Sequence, residues 1–379
     1  MGKEKDQKHR KTPEATNGRI SKGFKVSRSL IKVGASYQIN VPADWLKGVG
    51  LTKIRKGTEL LLVCFEQDFR FLNLNLPTGF QRKYRGQALI LGDWGEKVSE
   101  AECRKVNRKI LASYLVGYET IRVKNRTGSL PEKLTEQIGD FVGKKMRALL
   151  EETSGELKIE PTRRERFALR KNMNEMISHI KLMHKTAQVL MEDFKPTVAQ
   201  AILKIDDKVD ALCHEVVRFC KLAAQNPLVI LELGMRNYRD LMGYRVIIRR
   251  IERCADHARR CVADMLELFE REGRLEFKPE IKNEMKKIIK EVDELLDKAV
   301  FALFESSKKY YDADEVIDRA DSLVQVIDHA SRNISAENKS MEQFWCERRI
   351  FGSFKRFVEY TKTVAEIVCN MYVISSISK

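Results

Sequence analysis

From residue 164 onward, apolar residues recur with helical spacing, and no stretch of comparable length alternates as a strand does. The clearest segment runs through Tyr244, Ile248, Ile251, Ala255, Ala258, Val262, Met265 and Phe269, one stripe that a long helix buries along a single face. Stripes of this kind must cover one another. The pattern predicts about six helices, broken at Lys195-Pro196, Asn226-Pro227, Gly273 and Lys339-Ser340. Helices longer than the ~11–12-residue average, joined by short connections, pack as antiparallel bundles.

A chain of 379 residues has room for two or three domains with separate cores. Charged residues make up 33% and hydrophobic ones 43%, which reads as a globular protein. No apolar run approaches the ~18 residues of a membrane span, and the start Met1-Gly2-Lys3-Glu4-Lys5-Asp6 lacks the pattern of a signal peptide. The expected location is the cytoplasm. Cys64, Cys103, Cys213, Cys220, Cys254, Cys261, Cys346 and Cys369 contain no C-x-x-C pair, and the seven-residue spacings 213/220 and 254/261 suit small core residues. Neither a disulfide framework nor a thiolate metal site is expected.

The net charge of +16 favours a polyanionic partner. Lys3, Lys5, Lys8, Arg10, Lys11, Arg19, Lys22 and Lys25 crowd the start against only Glu4, Asp6 and Glu14. Without apolar periodicity, residues 1–26 are expected to be a disordered tail, either solubilising or binding nucleic acid.

A strand-rich segment follows. Arg28-Ser29-Leu30-Ile31-Lys32-Val33 and Ser36-Tyr37-Gln38-Ile39-Asn40-Val41 read as paired strands around Gly34-Ala35. Pro42 opens a short helix over residues 43–47, Gly50 ends it, and strands resume at residues 59–65 and 69–74. With Val41-Pro42, Trp45, Gly50-Leu51 and Lys56-Gly57 at these places, the segment resembles the AbrB/SpoVT swapped-hairpin domain over about residues 27–76. The domain is drawn at 27–85. The resemblance implies that two chains exchange hairpins to form a homodimer, and that basic residues contact DNA. Arg28, Lys32, Lys47, Lys53, Arg55 and Lys56 are the candidates here. Ala43 stands where that family usually has Lys, and Thr58 where an acid is usual.

Residues 86–163 read as an α/β connector, with helices at 100–118 and 131–151 and strands at 120–123 and 156–159. No nucleophile, base and oxyanion site assemble there.

Within the helical part, acids come in pairs. Asp206-Asp207-Lys208-Val209-Asp210 lies on the second helix and Glu252 with Asp256 on the third. Asp314-Glu315-Val316-Ile317-Asp318 and Glu359 to Thr363 repeat them about 107 residues later. Residues four apart share a helix face, so each pair projects two carboxylates one turn apart. Glu252 and Asp256 fall at the edge of the apolar stripe.

Asp-Asp-x-x-Asp on one helix and Ile251-Glu252-Arg253-Cys254-Ala255-Asp256-His257-Ala258 on the next resemble PhoU-type phosphate-uptake regulators, over roughly residues 165–375. The resemblance implies an all-α bundle of two three-helix repeats (about 164–272 and 273–379) that restrains phosphate import through a transporter and its signalling proteins. It also implies divalent or ferric metal ions held by Asp206, Asp210, Glu252 and Asp256, and by Asp314 and Asp318. Thr363 replaces the last acid of the second set, which implies a weaker second site. Joined to a swapped-hairpin domain, the bundle looks like an archaeal version of the regulator.

Hard cations favour carboxylate oxygens, so the chemistry is compatible. Arginines offer a metal-free alternative: Arg249 is three before Glu252, and Arg259 and Arg260 are three and four after Asp256. His257 points about 100° away from Asp256 and, like His214, is expected to be a packed or hydrogen-bonded histidine. A di-iron oxidase would need Glu-x-x-His on two helices, and none occurs, so no enzymatic activity is expected. The expected function is a DNA-binding, dimeric regulator of phosphate homeostasis. The alternative is an architectural or antitoxin-like DNA-binding protein unrelated to phosphate.

Overall fold

The computed structural model describes residues 30–33, 36–39, 62–65, 68–71, 86–126, 128–153, 155–162, 168–235, 238–337 and 339–377. Two short hairpins come first. β1 (Leu30–Val33) pairs antiparallel with β2 (Ser36–Ile39), Leu30 opposite Ile39, as the alternation predicts. β3 (Leu62–Phe65) pairs with β4 (Asp68–Phe71) in the same sense. β1 and β2 belong to one compact unit; β3, β4 and everything from Gln87 onward belong to a second. Of the six basic candidates, Lys32 lies on β1 opposite Tyr37. Arg28, Lys47, Lys53, Arg55 and Lys56, with the motif residues Pro42, Trp45 and Gly57, lie outside the described residues.

The connector is a four-stranded sheet with helices on one face. Its elements in chain order are β5 (Gln87–Gly92), α1 (Glu100–Val116), β6 (Thr120–Asn125), α2 (Glu132–Lys145), β7 (Ala148–Thr153) and β8 (Glu156–Pro161). The strand order is β5-β6-β8-β7, with β5 and β6 parallel across the α1 crossover and the other pairs antiparallel. Ser99 and Glu102 close a capping box on α1: Glu102 N donates to Ser99 Oγ at 3.3 Å and Ser99 N to Glu102 Oε2 at 3.0 Å. Gly117 ends α1 at φ 114°, where a side chain would be strained. Ile121, Val123, Leu157 and Ile159 alternate onto the face that buries Val106, Ile110, Tyr114, Leu134 and Ile138.

The helix predicted over residues 131–151 stops at Lys145, and Ala148–Thr153 is a strand. Met146 is already extended, and Leu149 and Leu150 pair with Glu160 and Ile159 across the hairpin turned at Gly155. β7 is an edge strand, mostly exposed, so it carries none of the inside-outside alternation that would have announced it. β5 also went unassigned in the sequence.

Among the described residues six long helices then follow, with two short ones between them. They are α3 (Leu169–Glu192), short α4 (Pro196–Leu203), α5 (Ile205–Gln225), short α6 (Pro227–Glu232), α7 (Tyr238–Glu272), α8 (Pro279–Phe304), α9 (Lys309–Arg332) and α10 (Met341–Ile377). Pro196 and Pro279 sit in first turns, where no amide donor is needed, and Gly273 ends α7 at φ 72°. α3, α5 and α7 pack on one another, as do α8, α9 and α10. The 35-residue α7 runs along the 37-residue α10, and this seam joins the two triads. Cys213, Cys220, Cys254, Cys261 and Cys346 are buried, unpaired core residues. Among the described residues no helix is long and apolar enough to cross a membrane.

Candidate functional site

The first turns of α5 carry Asp206, Asp207 and Asp210, and the middle of α7 carries Glu252 and Asp256. Acids suit the start of α5 because the unbonded amides there carry partial positive charge. α5 and α7 pack side by side, and this brings the two acid pairs together. The Asp206 and Glu252 side chains are only 17% and 11% exposed, so water screens them poorly.

Their proton affinities record the crowding. Burial, then the charges of Asp210 and Asp256, raise the pKa of Asp206 to about 6. Burial, then Asp256, raise that of Glu252 to about 7, with Arg253 and Arg249 opposing. Glu252 Oε2 is buried without a hydrogen-bond partner. The nearest cation is Arg253 Nε at 3.9 Å, beyond hydrogen-bond reach.

The chain supplies its own cations to the other acids. Arg259 Nε lies 3.2 Å from Asp206 Oδ2, reaching across from α7 to α5. Arg253 donates to Asp256 Oδ2 at 2.8 Å. Lys145, the last residue of α2, donates to Asp207 Oδ1 at 3.0 Å and makes a close ion pair with Asp210 Oδ2. Burial works against charge on Lys145, but the bonds to Asp210 and Asp207 outweigh it and hold its pKa above the ordinary lysine value.

Of the three arginines singled out in the sequence, Arg259 pairs across helices and not with Asp256, Arg249 acts on Glu252 only through its charge, and Arg260 bears on His257. Arg253 and Lys145 were missed. Arg253 stands three residues before Asp256, a spacing visible in the sequence. Lys145 is 65 residues from Asp210 and on a helix of the connector, where no local pattern points to it.

Hard oxygen donors are of the right type for a divalent cation. Yet among the described residues no three His, Cys, Asp or Glu side chains converge closely enough to hold one. With Lys145, Arg253 and Arg259 among the carboxylates, the residues as they stand do not fit a bound metal ion.

The second set is more open. Asp314 and Asp318 are exposed on α9. Lys362 of α10 donates to both oxygens of Asp321 at 2.6 and 2.8 Å, and Asp321, Glu366 and Asp318 together hold its pKa up. Glu359 takes a 2.7 Å bond from Arg356, and Thr363 Oγ1 donates to the Glu359 carbonyl at 3.0 Å. The His214 ring bonds the Lys145 carbonyl through Nδ1 at 2.9 Å, and His257 packs 5.7 Å from the Tyr360 ring.

Fold and site together define a helical-bundle protein whose charged face lies on two neighbouring helices. Residues 173–265 match the family description PhoU domain, a span from the first turns of α3 to the last turns of α7. Asp206, Asp210, Glu252 and Asp256 all fall inside it; Asp314 and Asp318 fall outside. No curated protein matches the chain.

Proposed function

We propose that the protein regulates phosphate homeostasis by binding partners, without catalysing a reaction. The observation that carries this reading is the PhoU-domain match over residues 173–265, which contains the whole paired-acid face of α5 and α7. The bundle contacts a phosphate transporter or its signalling proteins, and the N-terminal segment pairs two chains and binds DNA. The net charge of +16 and the resemblance over residues 27–76 support the DNA half.

Two measurements test it. Cells that lack the chain should take up labelled phosphate faster than their parent when phosphate is plentiful; equal rates would sink the regulatory reading. Full-length protein should shift genomic DNA fragments in a gel, and replacing Lys47, Lys53, Arg55 and Lys56 together with Ala should weaken binding by at least about tenfold at physiological salt. Undiminished binding by that variant removes the DNA half and leaves the phosphate half standing.

A further inference from the structure

One side chain in the carboxylate patch comes from outside the helical bundle. Lys145 closes α2 of the connector, and its ammonium sits between Asp207 and Asp210 of α5. Its backbone takes part as well, since the His214 ring on α5 bonds the Lys145 carbonyl. Two residues on, Arg147 donates to Glu175 Oε1 of α3 at 2.7 Å and to Glu215 Oε2 of α5 at 3.4 Å.

At the other end of the contact, buried Arg218 donates to the carbonyls of Tyr114 and Gly117, the latter at 3.2 Å. These carbonyls lie in the last turn and cap of α1, where the Tyr114 carbonyl also accepts the Gly117 amide at 3.1 Å. Asp207, Asp210, His214 and Arg218 step three or four residues along α5, so one helical face meets the connector with charge and hydrogen bonds, joined at its far end by Leu222 against Gly117. Polar interfaces of this kind are the ones that open and close reversibly.

We propose that Lys145 is a tethered counter-ion that latches the connector onto the bundle, neutralising Asp207 and Asp210 where a free cation would otherwise have to bind. The latch and a bound metal ion therefore exclude each other. Electrostatics gives the reason: the ammonium bonded to Asp207 and Asp210 already supplies their compensating charge, and a metal ion on the same carboxylates would be repelled by it. Near the second set of acids a lysine again supplies charge, but from within the bundle: Lys362 of α10 bonds Asp321 and feels the charges of Glu366 and Asp318.

The test uses the full-length protein and hydrogen exchange of residues 132–147, read with and without MnCl2. Lys145→Gln should raise exchange in α2 about tenfold while the bundle helices keep their protection, and Lys145→Arg should stay near the parent. The same variant should bind Mn²⁺ at least about tenfold more tightly than the parent by calorimetry, because the tethered competitor is gone. Asp207→Asn with Asp210→Asn attacks the latch from the other side and should release α2 equally, which guards against a folding defect peculiar to one variant. The proposal is overturned if α2 exchange is unchanged in Lys145→Gln, or if the parent binds Mn²⁺ stoichiometrically at Asp210 with α2 still protected.

Discussion

Glu252 is the residue whose environment is least comfortable. Its carboxylate is nearly out of water, faces Asp256 on its own helix and Asp210 on α5, and has only the charges of Arg253 and Arg249 in relief. An acid whose pKa is higher in the folded chain than in the unfolded one holds its proton more tightly when folded, so ionising it costs stability. For Glu252 that cost is absent below about pH 4.5, grows with rising pH, and is complete above the folded value of about 7. Asp206, facing Asp210, Asp256, Arg259 and Lys145, behaves alike between about 4 and about 6. Each shift corresponds to roughly 3 kcal/mol. Glu252→Gln should therefore gain about 2–3 kcal/mol of unfolding free energy at pH 8 and lose much of the fall in stability between pH 4.5 and 7. Urea titrations across that range measure both quantities, and a variant with the parent's pH slope would show that Glu252 is not the group responsible.

The elements that were legible in the sequence are those whose packing is periodic. The α7 stripe from Tyr244 to Met265 is buried as its spacing predicts, and the breaks at Pro196, Pro227 and Gly273 fall where α4, α6 and the end of α7 stand. Edge strand β7 was lost because Leu149, Glu151 and Glu152 are exposed and carry no pattern to read. Lys145 was lost for the opposite reason, since its meaning lies entirely in a contact far away in sequence. A similar long-side-chain contact anchors the start of α10. Lys339 and Glu347, 3% and 0% exposed, form a close ion pair, and Gln343 donates to Glu347 Oε1 at 3.1 Å. Glu347→Ala leaves a buried ammonium without a partner and should destabilise the fold by about 3–5 kcal/mol. Replacing both members with Leu and Met should cost far less. Thermal melts of the two variants decide, and equal losses would mean that packing, not charge, holds this loop.

At the scale of the molecule, the paired α7 and α10 matter most. Cys254 of α7 donates to the Phe357 carbonyl at 3.7 Å and Cys346 of α10 to the Asp264 carbonyl at 3.4 Å, so the seam is close along its length. Phe351, Phe354 and Phe357 of α10 and Ile251 and Val262 of α7 are all almost fully buried, the rings of Phe354 and Phe357 lying 6.4 and 5.0 Å from that of His184 on α3. A straight helix of 35 residues is about 52 Å long. Two such rods, glued side by side, resist bending far better than either one alone. Glu252 and Asp256 sit near the middle of this beam, so a push delivered there moves both its ends together instead of bending one helix locally.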